Sequence, residues 1–589
     1  MKRRRYLGPA GVGAVAALAL ALAACGGSSP SSSSSPTSTS HFNEAINTVV
    51  NPSSHKGGTI IYDLTNVPDS TDPGNTYYAY NWNFTRLYAT PLMTYKSCPG
   101  ACGEQLVPAL ATGPGVASNN NMTWTFHIKP NVKFSDGQTV TSQDVKYAVE
   151  RTFDRAVLPN GPTYFPVLLA GNAAKYPGPY KDRSKNLMGL TAIDTPNPTT
   201  IIFHLNKPFA DFNYVAAIPQ TAPVPPNKDT GPKYQLNVIS TGPYKFQSYT
   251  LNKQLVLVPN PYWKQSDDPQ VKQLASKIIV NMNVNAQDID NRLLAGDIQV
   301  NMAGTGVQAA TRGRIMSTPS LKAQSDNPVT GFLWFAYINT KVPPFTNVAC
   351  RRAVEYAADK VTLQDAYGGP LLGGAIASTA MPPTVKGYQK FDLYNALSQP
   401  NGDLTAAKAQ LKACGHPNGF TTNIAYRSDR PTEVAAAQAL QAGLARVGIK
   451  ATLKGYPSGT YYSNFAGSPS YVHTHGLGID FGGWGADWPD AWGWFDEIAN
   501  GNAIAPAGNT NISELNDPLV NKWLADMQTA TSQAQSNSYA NKIDMEVMKQ
   551  AVMLPIVYSK ALDYRPANLT NVYVQEYYGM YNYGVIGTK

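Results

Sequence analysis

Cysteine is scarce in this 589-residue chain, and five residues exclude a fold built on disulfides. Charge is scarce too, at 14% of residues. Beyond the N-terminus no block of five or six basic residues occurs, so nothing marks a nucleic-acid surface. The balance of 47 basic against 38 acidic residues overstates the basic character of the folded part. Lys2 and Arg3 to Arg5 precede a segment expected to be removed, and without them 43 basic residues face 38 acidic ones. Catalytic signatures are also missing. There is no Gly-x-Ser-x-Gly, no His-Glu-x-x-His and no local Cys/His arrangement, so a secreted hydrolase stays open only through a distant triad that local reading does not show. Hydrophobic residues make up 43%, with 48 Gly and 45 Pro. The chain is therefore neither disordered nor collagen-like, and its length fits about three to five structural units.

The N-terminus reads as an export signal. Residues 1–5 (MKRRR) are a charged lead, and residues 7–24 form a small, apolar run without an acidic residue. At eighteen residues that run is at the short end of what a bilayer span needs. Leu22-Ala23-Ala24-Cys25 resembles a bacterial lipobox, in which the Cys25 thiol takes a lipid before cleavage leaves it first. Residues 26–55 begin as a Gly/Ser/Pro/Thr tract that cannot bury a core. The reading is a signal peptide over 1–24 and a lipidated tether over 25–55, with a reach of about 30 Å. It places the globular part at the outer face of a membrane, held by lipid alone.

Cys98 and Cys102 bracket a Pro-Gly-Ala turn, short enough for a disulfide-closed loop in an oxidising compartment. A zinc site would need two further ligands, and none lies at compatible spacing. Cys350 and Cys414 sit on predicted helices and read as buried free thiols, with a bridge between them as the second reading. Strands and helices are interleaved, as in an α/β protein. Strands are predicted at 59–62, 123–129, 131–134, 255–258, 332–338 and 449–453, with a strand-turn-strand over 192–212. Helices are predicted over 84–95, 348–359 and 434–447, the last stopped by Gly448. Thr141 and Asp144, three apart, mark a capping-box start to another helix.

Residues 124–151 (WTFHIKPNVKFSDGQTVTSQDVKYAVER) resemble the signature of the extracytoplasmic solute-binding proteins of peptide and nickel importers, family 5. Further matches follow in the family's order. They are Thr241-Gly242-Pro243-Tyr244, Asn260-Pro261-Tyr262-Trp263, residues 339–345 with Arg351-Arg352-Ala353, residues 406–420, residues 483–490 (GWGADWPD) and Leu554-Pro555-Ile556. The resemblance covers nearly everything after about Lys56. It implies an α/β, two-lobed clamp of the type II periplasmic-binding-protein kind. Lobe I would take 56–327 plus 562–589, with an extra subdomain near 90–190, and lobe II 328–561.

The implied chemistry is capture, not turnover, and it needs no cofactor. A peptide offers the same backbone groups whatever its side chains, and its terminal ammonium needs a buried carboxylate. Trp484-Gly485-Ala486-Asp487 matches the family's Gly-Trp-x-x-Asp amine motif, with Asp487 as the clamp and Trp484 as a flat apolar wall. A competing reading has Asp487 bracing its loop or capping the helix after Pro489. Trp488, Trp492 and Trp494 read as packing, although four tryptophans in eleven residues leave a sugar cleft open. The loop after Asp72-Pro73 nominates Tyr77 and Tyr78. Arg427 and Arg430 could meet a peptide carboxylate but read as solvated charges. His473 and His475 could face one side of a strand as nickel ligands, yet no Cys or carboxylate beside them completes a site, and a polar loop pair is the expectation. The expected partners are a short peptide and the permease subunits of an ABC importer. Any ATP hydrolysis would belong to those subunits, since no phosphate-cradling loop with Lys is present. The protein is expected to act as a monomer.

Overall fold

A computed structural model describes residues 40–184 and 188–589. The export signal, Cys25 and the first part of the tether lie outside the described residues. Two sheets organise the two-lobed α/β fold. The first has five strands in the order Val300–Asn301, Thr59–Asp63, Lys277–Asn281, Gln254–Pro259, Tyr244–Thr250. Thr59–Asp63 runs parallel to both neighbours, and Ile60, Tyr62, Leu255, Leu257, Ile278 and Val280 bury their side chains. The second has six strands in the order Gly374–Ile376, Met553–Lys560, Val329–Ile338, Leu477–Trp484, Thr421–Arg427, Lys450–Tyr456. Its central strand Val329–Ile338 is apolar at almost every position because both of its faces are covered. One face carries the helices Val348–Ala357 and Pro431–Ala445, whose Val354, Ala437 and Leu440 share a core with Ala336 and Ile338. Thr421–Arg427, Pro431–Ala445 and Lys450–Tyr456 form a parallel βαβ unit.

The signature run builds a smaller four-stranded sheet, ordered Val116–Ser118, Thr123–His127, Thr200–His204, Ile193–Asn197. Two of its strands lie beyond residue 190. Trp124 and Phe126 point inward while Thr123 and Thr125 are half-buried, the alternation expected of a half-covered strand. Helix Ser142–Arg151 begins at the capping box, where the Thr141 backbone N–H donates to Asp144 Oδ2 at 2.7 Å.

Several expectations are corrected. The helix predicted over 84–95 lies earlier, at Ala79–Thr85; Pro91 excludes a helix through its own position, and the chain extends into strand Met93–Tyr95. No strand forms at 131–134; the chain there is a tight turn held by one bridge, Lys133 to Thr139. His473 and His475 lie on helix Pro469–His475, not on a strand. Cys98–Cys102 and Cys350–Cys414 are both disulfides, so Cys350 and Cys414 are not free thiols. The packing of helix Leu404–Ala413 on Val348–Ala357 brings their Cα atoms to 5.4 Å.

The largest correction concerns the tether. From Ser40 onward the chain is docked on the body. Short helix Glu44–Asn47 buries Ala45, and Val50 pairs with Val572. The Ala45 N–H donates to Asp326 Oδ1 at 2.9 Å, and the Arg565 guanidinium donates to Ser40 Oγ at 2.7 Å and to the His41 carbonyl at 2.8 Å while pairing with Asp326. Asp326 lies on strand Ser325–Asp326 and Arg565 directly follows its antiparallel partner Asp563–Tyr564; the first precedes the second main sheet's strand Val329–Ile338 in the chain and the other follows its strand Met553–Lys560. The apolar residues Phe42, Ala45 and Ile46 end the low-complexity composition at that point, and reading 25–55 as one segment hid them.

Candidate functional site

A cavity of about 330 Å³ lies where segments from both main sheets converge. Tyr77, Tyr78 and Trp82 come from the first region; Phe332, Trp334, Arg430, Trp484, Gly485 and Asp487 come from the second. The loop carrying the two tyrosines is fixed from below. Asp69 accepts from the Tyr77 N–H at 2.6 Å, from Thr76 Oγ1 at 2.7 Å and from Asn81 Nδ2 at 3.0 Å. Asp72 caps the turn Pro73–Asn75 and takes both terminal nitrogens of Arg151, at 2.9 and 2.5 Å. Arg151 is the last residue of the signature run and is fully buried. That run therefore helps to position the lining tyrosines without touching the cavity itself.

Asp487 follows strand Leu477–Trp484 in a loop before helix Ala491–Ala499. It does not cap that helix; Asp490 does, accepting from the Gly493 N–H at 2.8 Å. Asp487 Oδ2 instead accepts from the Tyr77 hydroxyl at 2.5 Å and from the Tyr164 hydroxyl, and its carbonyl accepts from the Tyr577 hydroxyl at 2.8 Å. Among the described residues no donor reaches Oδ1. Burial pushes the Asp487 carboxyl well above the usual carboxylate range; the bonds from Tyr164 and Tyr77 pull it down, and the nearby Glu497 and Asp496 push it up again.

Trp484 edges against Tyr77 at 5.3 Å between ring centres, and Tyr77 stacks on Trp82 at 5.5 Å. The Trp484 indole N–H is sealed from the cavity and has no partner among the described residues, so this wall meets a ligand through its ring alone. Gly485 is required by close approach, since a Cβ there would meet the Phe332 ring at 2.7 Å. Trp488 and Trp492 are buried in packing against Tyr164 and Phe209, Trp494 is buried and donates its indole N–H to the Ala380 carbonyl at 3.0 Å, and none of the three lines this cavity.

The two arginines diverge. Arg427 is not solvated: it is 1% exposed and grips Glu433 at 2.6 and 2.9 Å. Arg430 is half-buried, lies 5.4 Å from the Tyr78 ring centre and has no ion pair among the described residues. Tyr78 donates to the Ser458 carbonyl at 2.8 Å. His473 is engaged by Glu514 at 2.7 Å and His475 stacks on Tyr471, so the imidazoles have separate partners. Among the described residues no group of three His, Cys, Asp or Glu could hold a metal, and no helix is long and apolar enough to cross a membrane.

Sequence reasoning missed Tyr164 and Tyr577. They sit 323 and 90 residues from Asp487, in stretches with no motif of their own.

The family model for bacterial extracellular solute-binding proteins, family 5 (middle region), matches residues 105–505. The chain is 26% identical over 482 residues to the probable D,D-dipeptide-binding periplasmic protein DdpA of Escherichia coli (strain K12), covering 80% of this chain and 82% of that one. It is 24% identical over 506 residues to the glutathione-binding protein GsiB of Shigella dysenteriae serotype 1 (strain Sd197), covering 84% and 89%. Among solved structures it resembles clavulanic acid biosynthesis oligopeptide binding protein 2, with a TM-score of 0.83 and 38% identity over 93% of this chain and 99% of that one. It also shares the fold of the binding protein DppA from Helicobacter pylori in complex with the peptide STSA, with a TM-score of 0.71 and 21% identity over 90% and 98%.

Proposed function

Because this chain belongs to the bacterial extracellular solute-binding proteins of family 5, whose members are transporter binding proteins and not enzymes, we propose that it captures short peptides and hands them to the permease of an ABC importer. We further take it to be lipid-anchored through Cys25 at the outer face of the membrane, with lobes bounded at 56–327 plus 562–589 and at 328–561. The observation that carries the peptide reading is the Asp487 carboxyl, buried in the cavity wall with one oxygen held by tyrosines and the other without a donor among the described residues. A peptide ammonium at that oxygen makes a charge-assisted bond worth about 1.5–3 kcal/mol and offsets the burial of the carboxylate. Arg430, without an ion pair among the described residues, is the counter-charge for the peptide carboxylate. Trp484 supplies a wall for the first side chain. Ligand contacts to both lobes stabilise the closed form.

The test is a thermal-shift screen of the full chain with di- to hexapeptides, cello- and xylo-oligosaccharides, and Ni²⁺. A ligand at a hundred times its dissociation constant adds about 2.7 kcal/mol. Stabilisation by peptides alone is the expected result. Stabilisation by sugars or nickel alone removes the amine clamp.

A further inference from the structure

Two consecutive residues, Thr163 and Tyr164, reach across to one distant stretch of the chain. Tyr164 donates to the Asp487 carboxyl. Thr163 donates to Glu497 Oε1 twice, from its backbone N–H at 2.5 Å and from Oγ1 at 2.9 Å. Glu497 stands on helix Ala491–Ala499, beyond the Asp487 loop, and is 2% exposed. It is also fixed from its own side, where the Thr510 hydroxyl donates to its carbonyl at 2.8 Å and lies 3.3 Å from Oε2.

The segment that carries Thr163 is braced by Arg155. Its Nη1 donates to the Asn160 and Gly161 carbonyls, both at 2.9 Å. Its Nη2 donates to the Pro159 carbonyl at 2.6 Å and to the Ala507 carbonyl at 3.2 Å. Gly508, at a φ of 62°, allows the two segments to meet, since a Cβ there would stand 2.0 Å from the Pro159 carbonyl oxygen. On the proposed boundaries residues 155–164 belong to lobe I, and Asp487, Glu497, Ala507 and Gly508 to lobe II. Arg155, Thr163, Glu497 and Ala507 do not line the cavity. Their bonds join protein to protein and need no ligand, and those to the Glu497 carboxyl are of the stronger, charge-assisted kind.

We propose that Glu497 is a positioning residue: by gripping Thr163, with Arg155 as its brace, it latches the two lobes together before any ligand arrives and so keeps Tyr164 on Asp487. The proposal takes only the lobe boundaries from the proposed function. Entry and escape of a ligand then both wait on the latch, so residues that never touch the ligand set its exchange rate.

The test is small-angle X-ray scattering of the full chain with no ligand added, refolded from guanidinium chloride to remove any carried through purification. The parent is compared with Glu497→Gln, which keeps an acceptor oxygen for Thr163, and Glu497→Leu, which does not. The parent and Glu497→Gln should scatter as the structure described above. Glu497→Leu should show a larger radius of gyration, its ratio of closed to open molecules falling roughly tenfold or more. An expanded parent, or a folded Glu497→Leu as compact as the parent, overturns the proposal. Equal expansion of both variants also overturns it, because the acceptor would then not be the cause. If Glu497→Leu does not fold, Gly508→Ala prises the same latch from the other side while leaving Glu497 in place. It should expand, and a compact Gly508→Ala overturns the proposal in that case. No ligand enters this measurement, so peptides that fail to stabilise a latched parent would sink the peptide reading alone.

Discussion

The cavity proposed to take peptides is held differently at its two ends. Asp487 is fixed by the hydroxyls of Tyr77, Tyr164 and Tyr577, which reach it from three separate stretches of the chain. Arg430 rests on a tyrosine face, half-buried and without an ion pair among the described residues. One end is built before a ligand arrives and the other is uncommitted. On the proposed function, recognition of the amino terminus is the demanding step, and the carboxylate end tolerates peptides of different length.

The largest effect that sharpens this contrast is on stability. Arg427→Met leaves Glu433 buried without its partner and should cost about 3–5 kcal/mol in urea denaturation. A loss of peptide affinity with stability intact would instead make Arg427 the counter-charge. Next comes Asp487→Asn, expected to weaken free-amine peptides roughly 10- to 150-fold by calorimetry while sparing N-acetylated ones. Equal losses for both peptide forms would reduce Asp487 to a brace for its loop.

A pH series separates the same carboxyl from its surroundings. Burial first, then Glu497 and Asp496, raise Asp487 in the folded chain. A carboxyl raised on folding contributes stability that is full below its ordinary pKa of 3.8 and is lost as pH rises through the raised value. The ligand-free protein should thus lose more melting temperature than Asp487→Asn between about pH 4 and pH 7. Affinity for free-amine peptides should move the other way, rising by up to tenfold per pH unit as Asp487 ionises. If both fall together, ionised Asp487 is not the partner of the amine. The smallest effect belongs to Arg430→Met, expected to cost free-carboxylate peptides about fivefold, C-amidated peptides nothing, and the fold nothing measurable.

How much of this was legible in the sequence depended on how local the cause was. The Thr141–Asp144 capping box, the alternating strand at Trp124 and the helix and strand on either side of Gly448 rest on neighbours in the chain, and all formed. Gly485 and Trp484 belong to a short motif, and both line the cavity. Tyr164 and Tyr577 were silent because only tertiary packing brings them to Asp487. Arg427 misled for a subtler reason: Glu433, six residues on, was in plain view, but whether the pair is buried depends on distant rings, with Trp334 and Tyr461 packed on the Arg427 guanidinium. The Cys350–Cys414 bridge, between cysteines 64 residues apart in the chain, likewise needed two helices to pack side by side.

The arm over residues 40–53 has a mechanical meaning. It is seated on the two short strands that join the lobes, through Arg565, Asp326 and the Val50–Val572 pairing. On the proposed anchoring and closure, a pull applied at Ser40 enters the molecule beside the strands between the two main sheets, where the lever arm is shortest. On that reading such tension exerts little torque on either lobe, and the proposed closure around a ligand is insulated from the load.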